Sequence, residues 1–435
     1  MLDIQVESGA GKGRAGKAGG AERGPERGGP SAVAAVTLGI FTVMTAELLP
    51  VGLLTPAAAD LAVSEGTAAL MVTVPGLVAA LAAPLVTVRA AGADRRALLV
   101  ALLLLAAAAN LVSALAGHLA VVLAARVLLG IAIGGFWALA GGLAPRLVPS
   151  GAVGRATAVI FGGVSAASVL GVPAGTLLTE RAGWRWAFAA TGLLALLAAA
   201  ALRTLLPRLP GRGARTATTT DAGTSTGAGT GAEPCPSPAA RSGAGTLLAL
   251  PRRNRRVRAG LLLTLALVTG HFLAYSFVRP LLTDRSGISG SLLGALLLGY
   301  GVAGVAGNFL AGSRAVRSPG RTLAVIAAAL GTVLLAGFLL GGSAIAGAGL
   351  LLLWGLAYGG VSVALQSWFM AAAPDDVETA TGLNVSVFCL AIALGALLGG
   401  LLVDAYSLDT VLLAGAALTL AAFPVAVLSG RNDPS

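Results

Sequence analysis

Long apolar segments, separated by short polar ones, dominate this chain of 435 residues. Twelve of these segments have about 20 residues or more, enough for a helix to cross a bilayer core of roughly 30 Å. Their apolar positions are continuous and do not alternate with polar ones, which excludes a membrane β-barrel. The pattern therefore predicts an all-α membrane protein with twelve transmembrane helices. The expected spans are 31–56, 67–88, 97–116, 119–144, 156–179, 186–206, 259–282, 291–313, 322–341, 346–372, 380–403 and 410–429.

The second half of the chain repeats the first at a constant offset of 225 residues. Glycine and proline carry most of the repeat, and these residues mark close helix contacts and helix ends. Matching pairs are Gly130 with Gly355, Gly134 with Gly359, Gly135 with Gly360, Pro149 with Pro374 and Gly175 with Gly400. Repeats of this kind are typical of secondary transporters. We therefore expect two pseudo-symmetric six-helix bundles, 31–206 and 259–429.

The remaining segments are polar. Residues 1–30 are rich in Gly, Arg and Glu and are expected to form a disordered cytoplasmic tail, and 430–435 form a second short tail. The linker 207–258 is rich in Thr, Gly, Ser and Pro and is expected to be flexible in its middle. Cys235 falls in this linker and Cys389 inside a span, so no disulfide is expected.

The distribution of positive charge predicts the orientation. The chain is 56% hydrophobic and 11% charged, with a formal net charge of +11. If both termini are cytoplasmic, the cytoplasmic segments hold 24 of the 29 Lys and Arg residues. This asymmetry follows the positive-inside rule, so the basic balance indicates orientation in the lipid bilayer and no nucleic-acid partner. We expect a multi-pass protein of the bacterial inner membrane.

Five stretches resemble the major facilitator superfamily. They are FTVMTAELLPVGLLTPAAADLAVSEG (41–66), RVLLGIAIGGFWAL (126–139), GGVSAASVLGVPAGTLLTERAGWRWAF (162–188), GHFLAYSFVRPLL (270–282) and LLLWGLAYGGVSVALQSW (351–368). The first is similar to the opening span of the twelve-span drug:proton antiporter branch, and particularly of sugar and arabinose efflux permeases. The resemblance implies a monomeric transporter working by alternating access. Its expected activity is proton-coupled export of a sugar-like compound or of a drug or metabolite, with a possible link to drug resistance.

Glu47 is the only acidic residue deep in a predicted span. An ionisable group at mid-membrane costs about 3 kcal/mol on insertion scales, so it is expected to have a function or a fixed partner. Three interpretations remain open. The carboxyl group can exchange a proton during transport, it can be permanently paired for structural reasons, or it can bind a cationic substrate.

Two basic residues are expected near the level of Glu47. Arg126 belongs to the first half alone, because its counterpart at the offset of 225 is Leu351. It is the expected partner of Glu47, as a fixed charge that tunes the carboxyl group or binds a substrate anion, or it is purely structural. His271 in the seventh span can relay a proton or bind a hydroxyl group; a helix-packing role is equally compatible.

Further candidates are polar or aromatic residues within spans. Those expected to line a substrate cavity are Phe136, Trp137, Tyr275, Trp354, Gln366, Trp368 and Asn384. Each can instead serve helix packing. Asp94 and Arg95, between the second and third spans, are what remains of the family's gating motif. Gly171, Pro173 and Gly175 suit close packing and bending of the fifth span, a region that the resemblance associates with antiport.

The sequence offers no enzymatic machinery. Two histidines and two scattered cysteines assemble neither a metal cluster nor a nucleophile triad, so we expect no metal, no cofactor and no enzyme. A small-molecule substrate and protons are the expected partners. Two alternatives to proton-coupled export remain: a proton-independent uniporter or importer of the same fold, and a membrane sensor that does not transport.

Overall fold

The computed structural model describes residues 29–89, 93–140, 143–149, 152–209, 244–288, 291–315 and 317–430. Every regular element in these ranges is a helix. The α-helices are Gly29–Asp60, Glu65–Ala68, Leu70–Arg89, Arg95–Leu115, Leu119–Ala140, Ala144–Leu147, Val153–Ala166, Val172–Ala182, Trp184–Leu205, Ala244–Arg253, Arg255–Tyr275, Val278–Pro280, Ser291–Ala315, Pro319–Leu340, Ala344–Gly359, Val361–Ala372, Val377–Ala405 and Leu408–Gly430. Wide π-helical turns occupy Ala167–Gly171 and Leu281–Arg285.

Twelve helical segments are long and apolar enough to cross a membrane, which confirms the predicted fold class. Because successive spans run in opposite directions, the first and last described residues lie on one face, here called the terminal face; the other is the opposite face. Spans 1–6 form the N-half and spans 7–12 the C-half. In chain order the spans are Gly29–Asp60, Glu65–Val86, Arg95–Leu115, Leu119–Ala140, Arg155–Ala182, Trp184–Leu205, Arg255–Tyr275, Leu292–Ala315, Pro319–Leu340, Ala344–Ala372, Thr379–Ala405 and Leu408–Gly430.

Span 7 differs from its predicted bounds of 259–282 at both ends. It begins at Arg255, because Asn254 accepts hydrogen bonds from the backbone N–H groups of Arg256 and Val257 and so caps the helix. Its helix ends at Tyr275, where the chain turns through a short helix and a π-helical turn. The predicted disordered tail, up to residue 28, and the middle of the linker with Cys235 lie outside the described residues.

The repeat is preserved in the contacts between helices. In the N-half, a Cβ atom on Gly130 would lie 2.7 Å from the carbonyl oxygen of Pro75. In the C-half, Gly355 packs in the same way on the carbonyl oxygen of Tyr300. Both partners are shifted by the same 225 residues. The second glycine of each Gly-x-x-x-Gly pair continues the pattern, since Gly134 packs on Ala79 and Gly359 on Gly304. Small residues thus let backbones approach closely at both places.

Span 1 is held inside the N-half by close contacts of the same kind. On span 5, Gly171 packs against Thr45 and Gly175 against Leu49, and a side chain at either glycine would overlap these neighbours. The π-helical turn that ends at Gly171, two residues before Pro173, widens span 5 here. Span 1 therefore has a fixed rotation, which determines the direction in which its polar residue points.

Each half carries an ion-paired clamp on the opposite face. In the N-half, Arg185 at the start of span 6 pairs with Asp60 at the end of span 1, and it donates to the carbonyl oxygen of Ala116 after span 3 (3.0 Å). In the C-half, Arg285 after span 7 pairs with Asp409 in span 12 and donates to the carbonyl oxygen of Phe338 in span 9. The clamps join equivalent spans, but acid and base have exchanged positions.

The two halves touch near the opposite face. Gly66 and Gly400 pack backbone to backbone, and Gly294 of span 8 packs on Leu177 of span 5. The contacts continue to mid-span, where Gly76 of span 2 packs on Cys389 and Ala393 of span 11. The halves are therefore closed against each other on the opposite side.

Candidate functional site

Glu47 and Arg126 are the only fully charged side chains buried within the described part of the chain, at 3% and 1% exposure. Both lie in the middle of the bilayer-spanning region, on spans 1 and 4. The Oε1 atom of Glu47 is buried and has no hydrogen-bond partner among the described residues. An unpaired polar atom in such a place is costly, so this oxygen marks a candidate site.

Arg126 reaches the backbone next to Glu47. Its Nη1 atom donates to the carbonyl oxygen of Ala46 at 3.1 Å, and its guanidinium group lies 4.5 Å from the ring centroid of Phe188 on span 6. Its Nε and Nη2 atoms have no hydrogen-bond partner in the described ranges. The guanidinium group is thus held at the level of Glu47, and two of its nitrogen atoms remain available as donors.

The predicted pairing of Glu47 with Arg126 is wrong for this conformation. No ion pair joins these two residues, although both are described. The guanidinium group of Arg126 instead donates to the carbonyl oxygen of Ala46 and lies over the ring of Phe188. The two charges lie at the same depth, as the sequence indicates, but depth does not determine the direction in which a side chain points.

Glu47 lies within electrostatic range of the C-half. Its carboxyl group lies close enough to act electrostatically on Tyr358 of span 10 and Cys389 of span 11. The buried acid of the N-half is therefore at the boundary between the two halves.

Four aromatic rings form a column beside this boundary. Tyr358 stacks on His271 with 3.4 Å between ring centroids, His271 stacks on Tyr275 at 4.9 Å, and Tyr275 stacks on Tyr300 at 4.9 Å. Trp354 meets the middle rings edge-on. Because His271 and Tyr275 are four residues apart, they share one face of span 7. The column joins spans 7, 8 and 10.

The hydrogen bonds of the column define the state of His271. Its Nδ1 atom accepts a hydrogen bond from the indole N–H of Trp354 at 3.0 Å. An accepting Nδ1 carries no proton, so the neutral ring has its proton on Nε2. His271 cannot take a second proton at Nδ1 while this bond exists, which limits the predicted relay.

Two of the predicted cavity residues serve packing. Phe136 is buried, and its ring tip lies against Gly39 of span 1. Trp368 is also buried; its indole N–H donates to the carbonyl oxygen of Arg256 at 3.0 Å, and its ring covers Gly260. Each ring fills the gap left by a glycine on a neighbouring helix of its own half. Both rings therefore serve packing within one half.

The other predicted cavity residues lie nearer the terminal side or in the column. Asn384 of span 11 is buried and accepts a hydrogen bond from Thr264 at 2.8 Å. Gln366 of span 10 is half-buried and donates to Thr381 at 3.4 Å. Trp137 of span 4 is half-buried. Tyr275 belongs to the aromatic column, and Trp354 meets the column edge-on.

The residues predicted to form a gate act within the N-half. Asp94 accepts hydrogen bonds from the backbone N–H groups of Arg96 at 3.0 Å and of Leu209 at 2.9 Å. The backbone N–H of Arg95 donates to the carbonyl oxygen of Leu209 at 3.0 Å. These bonds fasten the start of span 3 to the chain after span 6, on the terminal face.

A contact that the sequence did not indicate joins the halves on the opposite face. Asp404 at the end of span 11 accepts from the hydroxyl group of Ser64 at 2.6 Å and from the backbone N–H of Gly66 at 3.1 Å. Arg279 donates to the carbonyl oxygen of Gly52 at 2.9 Å. We call these bonds of Asp404 and Arg279 the latch.

Removing one part of the latch is expected to open the opposite face. Asp404→Ala deletes two hydrogen bonds between the halves, and bonds of this kind contribute roughly 0.5–3 kcal/mol each. With Cys235 replaced by serine, Cys389 is the remaining thiol and it is buried in this conformation. We expect an impermeant maleimide added on the opposite side to label Cys389 at least about fivefold faster.

Asp375→Ala is the matched control, because Asp375 is exposed and lies on the terminal side of span 11. Labelling in this variant should match that of the parent. Equal labelling rates in Asp404→Ala and the parent would show that the latch does not hold the halves together.

Sequence reasoning missed Tyr358 and Asp404. Tyr358 lies within the Gly-x-x-x-Gly pair of span 10, where the glycines draw attention and the tyrosine resembles an ordinary membrane aromatic. A signal was available, since the residue 225 positions earlier is Ile133, so the ring is specific to the C-half. Asp404 lies just beyond the predicted end of its span and reads as a boundary residue.

Comparisons with known proteins agree with this architecture. The model of the Major Facilitator Superfamily matches residues 36–396. The Transcription regulatory protein OpdE of Pseudomonas aeruginosa is 34% identical over 416 residues, which cover 95% of this chain and 97% of that protein. The Purine ribonucleoside efflux pump NepI of Escherichia coli K12 is 32% identical over 390 residues, covering 90% and 91%.

Solved structures share the fold at low sequence identity. The crystal structure of a D-xylose-proton symporter aligns with a TM-score of 0.69 and 16% identity, covering 93% of this chain and 98% of that one. A bacterial homolog of the human lysosomal transporter Spinster, in an inward-facing and unoccupied conformation, aligns with a TM-score of 0.68 and 16% identity, covering 94% and 96%. These similarities concern the arrangement of the helices.

Proposed function

The chain belongs to the Major Facilitator Superfamily, whose members are transporters and not enzymes, and we propose that this one exports a small organic molecule in exchange for protons. The observation that carries the proposal is the buried carboxyl group of Glu47, with one unpaired oxygen, at the boundary between the halves. Movement of the halves changes the surroundings of this group, and a carboxyl group whose surroundings alternate can take up a proton in one state and release it in another.

The direction of transport is proposed from the relative NepI, which is named an efflux pump. The terminal face has 24 of the 29 Lys and Arg residues, so we assign it to the cytoplasm. The halves are latched on the other face. A conformation closed on that face is compatible with the loading step of an exporter in the inner membrane.

A nucleoside-like compound is the substrate class that we favour. NepI, at 32% identity over nearly the full length, is named a purine ribonucleoside efflux pump. A nucleoside combines a sugar with a planar base, so it includes the sugar-like compounds expected from the sequence. The column of aromatic rings beside Glu47 offers a surface on which planar bases stack.

Proton and substrate can share Glu47. A substrate bound beside the carboxylate would donate hydrogen bonds to it from N–H or O–H groups, and these bonds compete with protonation. Binding of one ligand then promotes release of the other, as exchange requires. Arg126, held through Ala46 with two nitrogens unpaired, supplies a fixed positive charge at the same depth.

Transport into everted membrane vesicles tests the proposal. With radiolabelled adenosine outside and an acidic interior, we expect accumulation inside the vesicles above the external concentration, and its collapse when a protonophore is added. Vesicles without the protein are the control. Flux that only equilibrates adenosine, with no response to the proton gradient, would support the uniporter alternative and contradict proton exchange.

A regulatory role is the second candidate, because the relative OpdE, at 34% identity, is named a transcription regulatory protein. A sensor of this fold would bind its ligand without turnover. The same vesicles separate the two functions: binding that saturates at one molecule per protein, with no trapped solute, would favour the sensor over the exporter.

A further inference from the structure

The aromatic column has one accessible end. His271, Tyr275, Tyr300 and Trp354 are buried, whereas Tyr358 is partly exposed. Glu47 of the other half lies within electrostatic range of Tyr358. We infer that the exposed part of Tyr358 borders the space between the halves.

The hydroxyl group at the accessible end of the column is not satisfied by the protein. Tyr358 forms no hydrogen bond through its hydroxyl oxygen with any described residue. Phenol groups in a membrane interior normally find a partner. The hydroxyl group of Tyr358 and the nearby Oε1 atom of Glu47 both lack one, which indicates a place where a polar ligand completes the hydrogen bonds.

The column is rigidly supported. Tyr358 follows Trp354 by one helical turn. The neighbouring Gly355 and Gly359 pack directly on the backbone of span 8. Trp354 is fixed in turn by its bond to His271. The orientation of Tyr358 is thus determined before any ligand binds, which reduces the entropy lost on binding.

We propose that Tyr358 is the stacking surface for the planar base of the substrate, so that a bound base extends the column by one ring and lies beside Glu47. This inference rests on the proposed export of a nucleoside-like compound and adds the residue that selects it. A fused two-ring base covers more of the phenol ring than a one-ring base, and a free sugar has no planar π face to stack on it. The site should therefore prefer purine over pyrimidine nucleosides and reject ribose.

Equilibrium binding of radiolabelled adenosine to the purified full chain in lipid nanodiscs, at one fixed pH, tests this. We expect Tyr358→Leu to weaken binding at least about tenfold, because it removes the aromatic face. Tyr358→Phe and Tyr358→Trp keep that face and should bind within about threefold of the parent. Tyr300→Phe, at the buried end of the column, is the matched control and should bind like the parent.

Competition completes the experiment. Unlabelled adenosine should displace the label best, uridine less well, and ribose not at all. Equal binding by Tyr358→Leu and the parent, with normal elution of both on size exclusion, would overturn the assignment, as would displacement by ribose. If Tyr358→Leu does not yield folded protein, weak binding by Tyr358→Trp together with Tyr358→Phe would contradict it equally.

The outcome is independent of proton coupling, because no gradient is present. Normal binding with the expected losses, but no uphill transport in vesicles, would reject proton exchange and keep the stacking site. Uphill transport of adenosine with unchanged binding in Tyr358→Leu would reject the stacking site and keep the exporter. A parent protein that binds no nucleoside would overturn both the substrate class and this site.

Discussion

Glu47→Gln is expected to reduce proton-driven accumulation of substrate to the background of empty vesicles. Glutamine keeps the size and the hydrogen-bonding oxygen of Glu47, but it cannot take up or release a proton. The movement of the halves remains possible, so exchange of labelled for unlabelled substrate across the membrane should continue. The measurement is uptake of adenosine into everted vesicles with and without an acidic interior, and counterflow without a proton gradient.

Asp375→Asn is the control for this substitution, because it makes the same chemical change at an exposed acid on the terminal side of span 11. It should accumulate substrate like the parent. Undiminished uphill transport by Glu47→Gln would assign the coupling to another group. Loss of both accumulation and counterflow would indicate that Glu47 is needed for binding or for movement and not for the proton alone.

Gly359→Ala is expected to prevent correct assembly of the C-half. The added methyl group would overlap the carbonyl oxygen of Gly304, and backbone cannot move aside as a flexible side chain can. Overpacking of this kind costs about 3 kcal/mol or more when the neighbour is rigid. We expect little monodisperse protein on size-exclusion chromatography and a clearly lower unfolding temperature for the fraction that folds.

Gly349→Ala provides the comparison within the same span. A Cβ atom on Gly349 meets no atom within 4 Å, so the identical substitution should leave elution and unfolding temperature unchanged or slightly raised. Similar behaviour of the two variants would show that the close approach of spans 8 and 10 is not required for the fold.

The sequence predicted the fold through features that do not depend on tertiary detail. The length of the apolar runs determines the number of spans, and the glycine repeat indicates where backbones approach, as the matched contacts of Gly130 and Gly355 illustrate. Burial of Glu47 was also predictable, because an acid in the middle of an apolar span avoids the lipid and turns to the interior of the bundle.

The surroundings of the Glu47 carboxyl group were not predictable, because they depend on the rotation of span 1 about its axis. That rotation is determined by the contacts of Gly171 and Gly175, and it leaves the carboxyl group without an ion pair to Arg126. Helix depth can be counted along a sequence, whereas helix rotation requires knowledge of the packed neighbours. For the same reason, the sequence did not distinguish the packing rings from the rings of the column.

The exchanged polarity of the two clamps bears on how a duplicated chain avoids joining the wrong helices. If span 7 docked where span 1 belongs, Arg285 would meet Arg185, and in the converse error Asp60 would meet Asp409. Exposed ion pairs of this type contribute only about 0–1 kcal/mol to stability, but like charges in contact oppose association. Opposite polarity therefore disfavours docking of span 7 against span 6, or of span 1 against span 12, while the two halves fold.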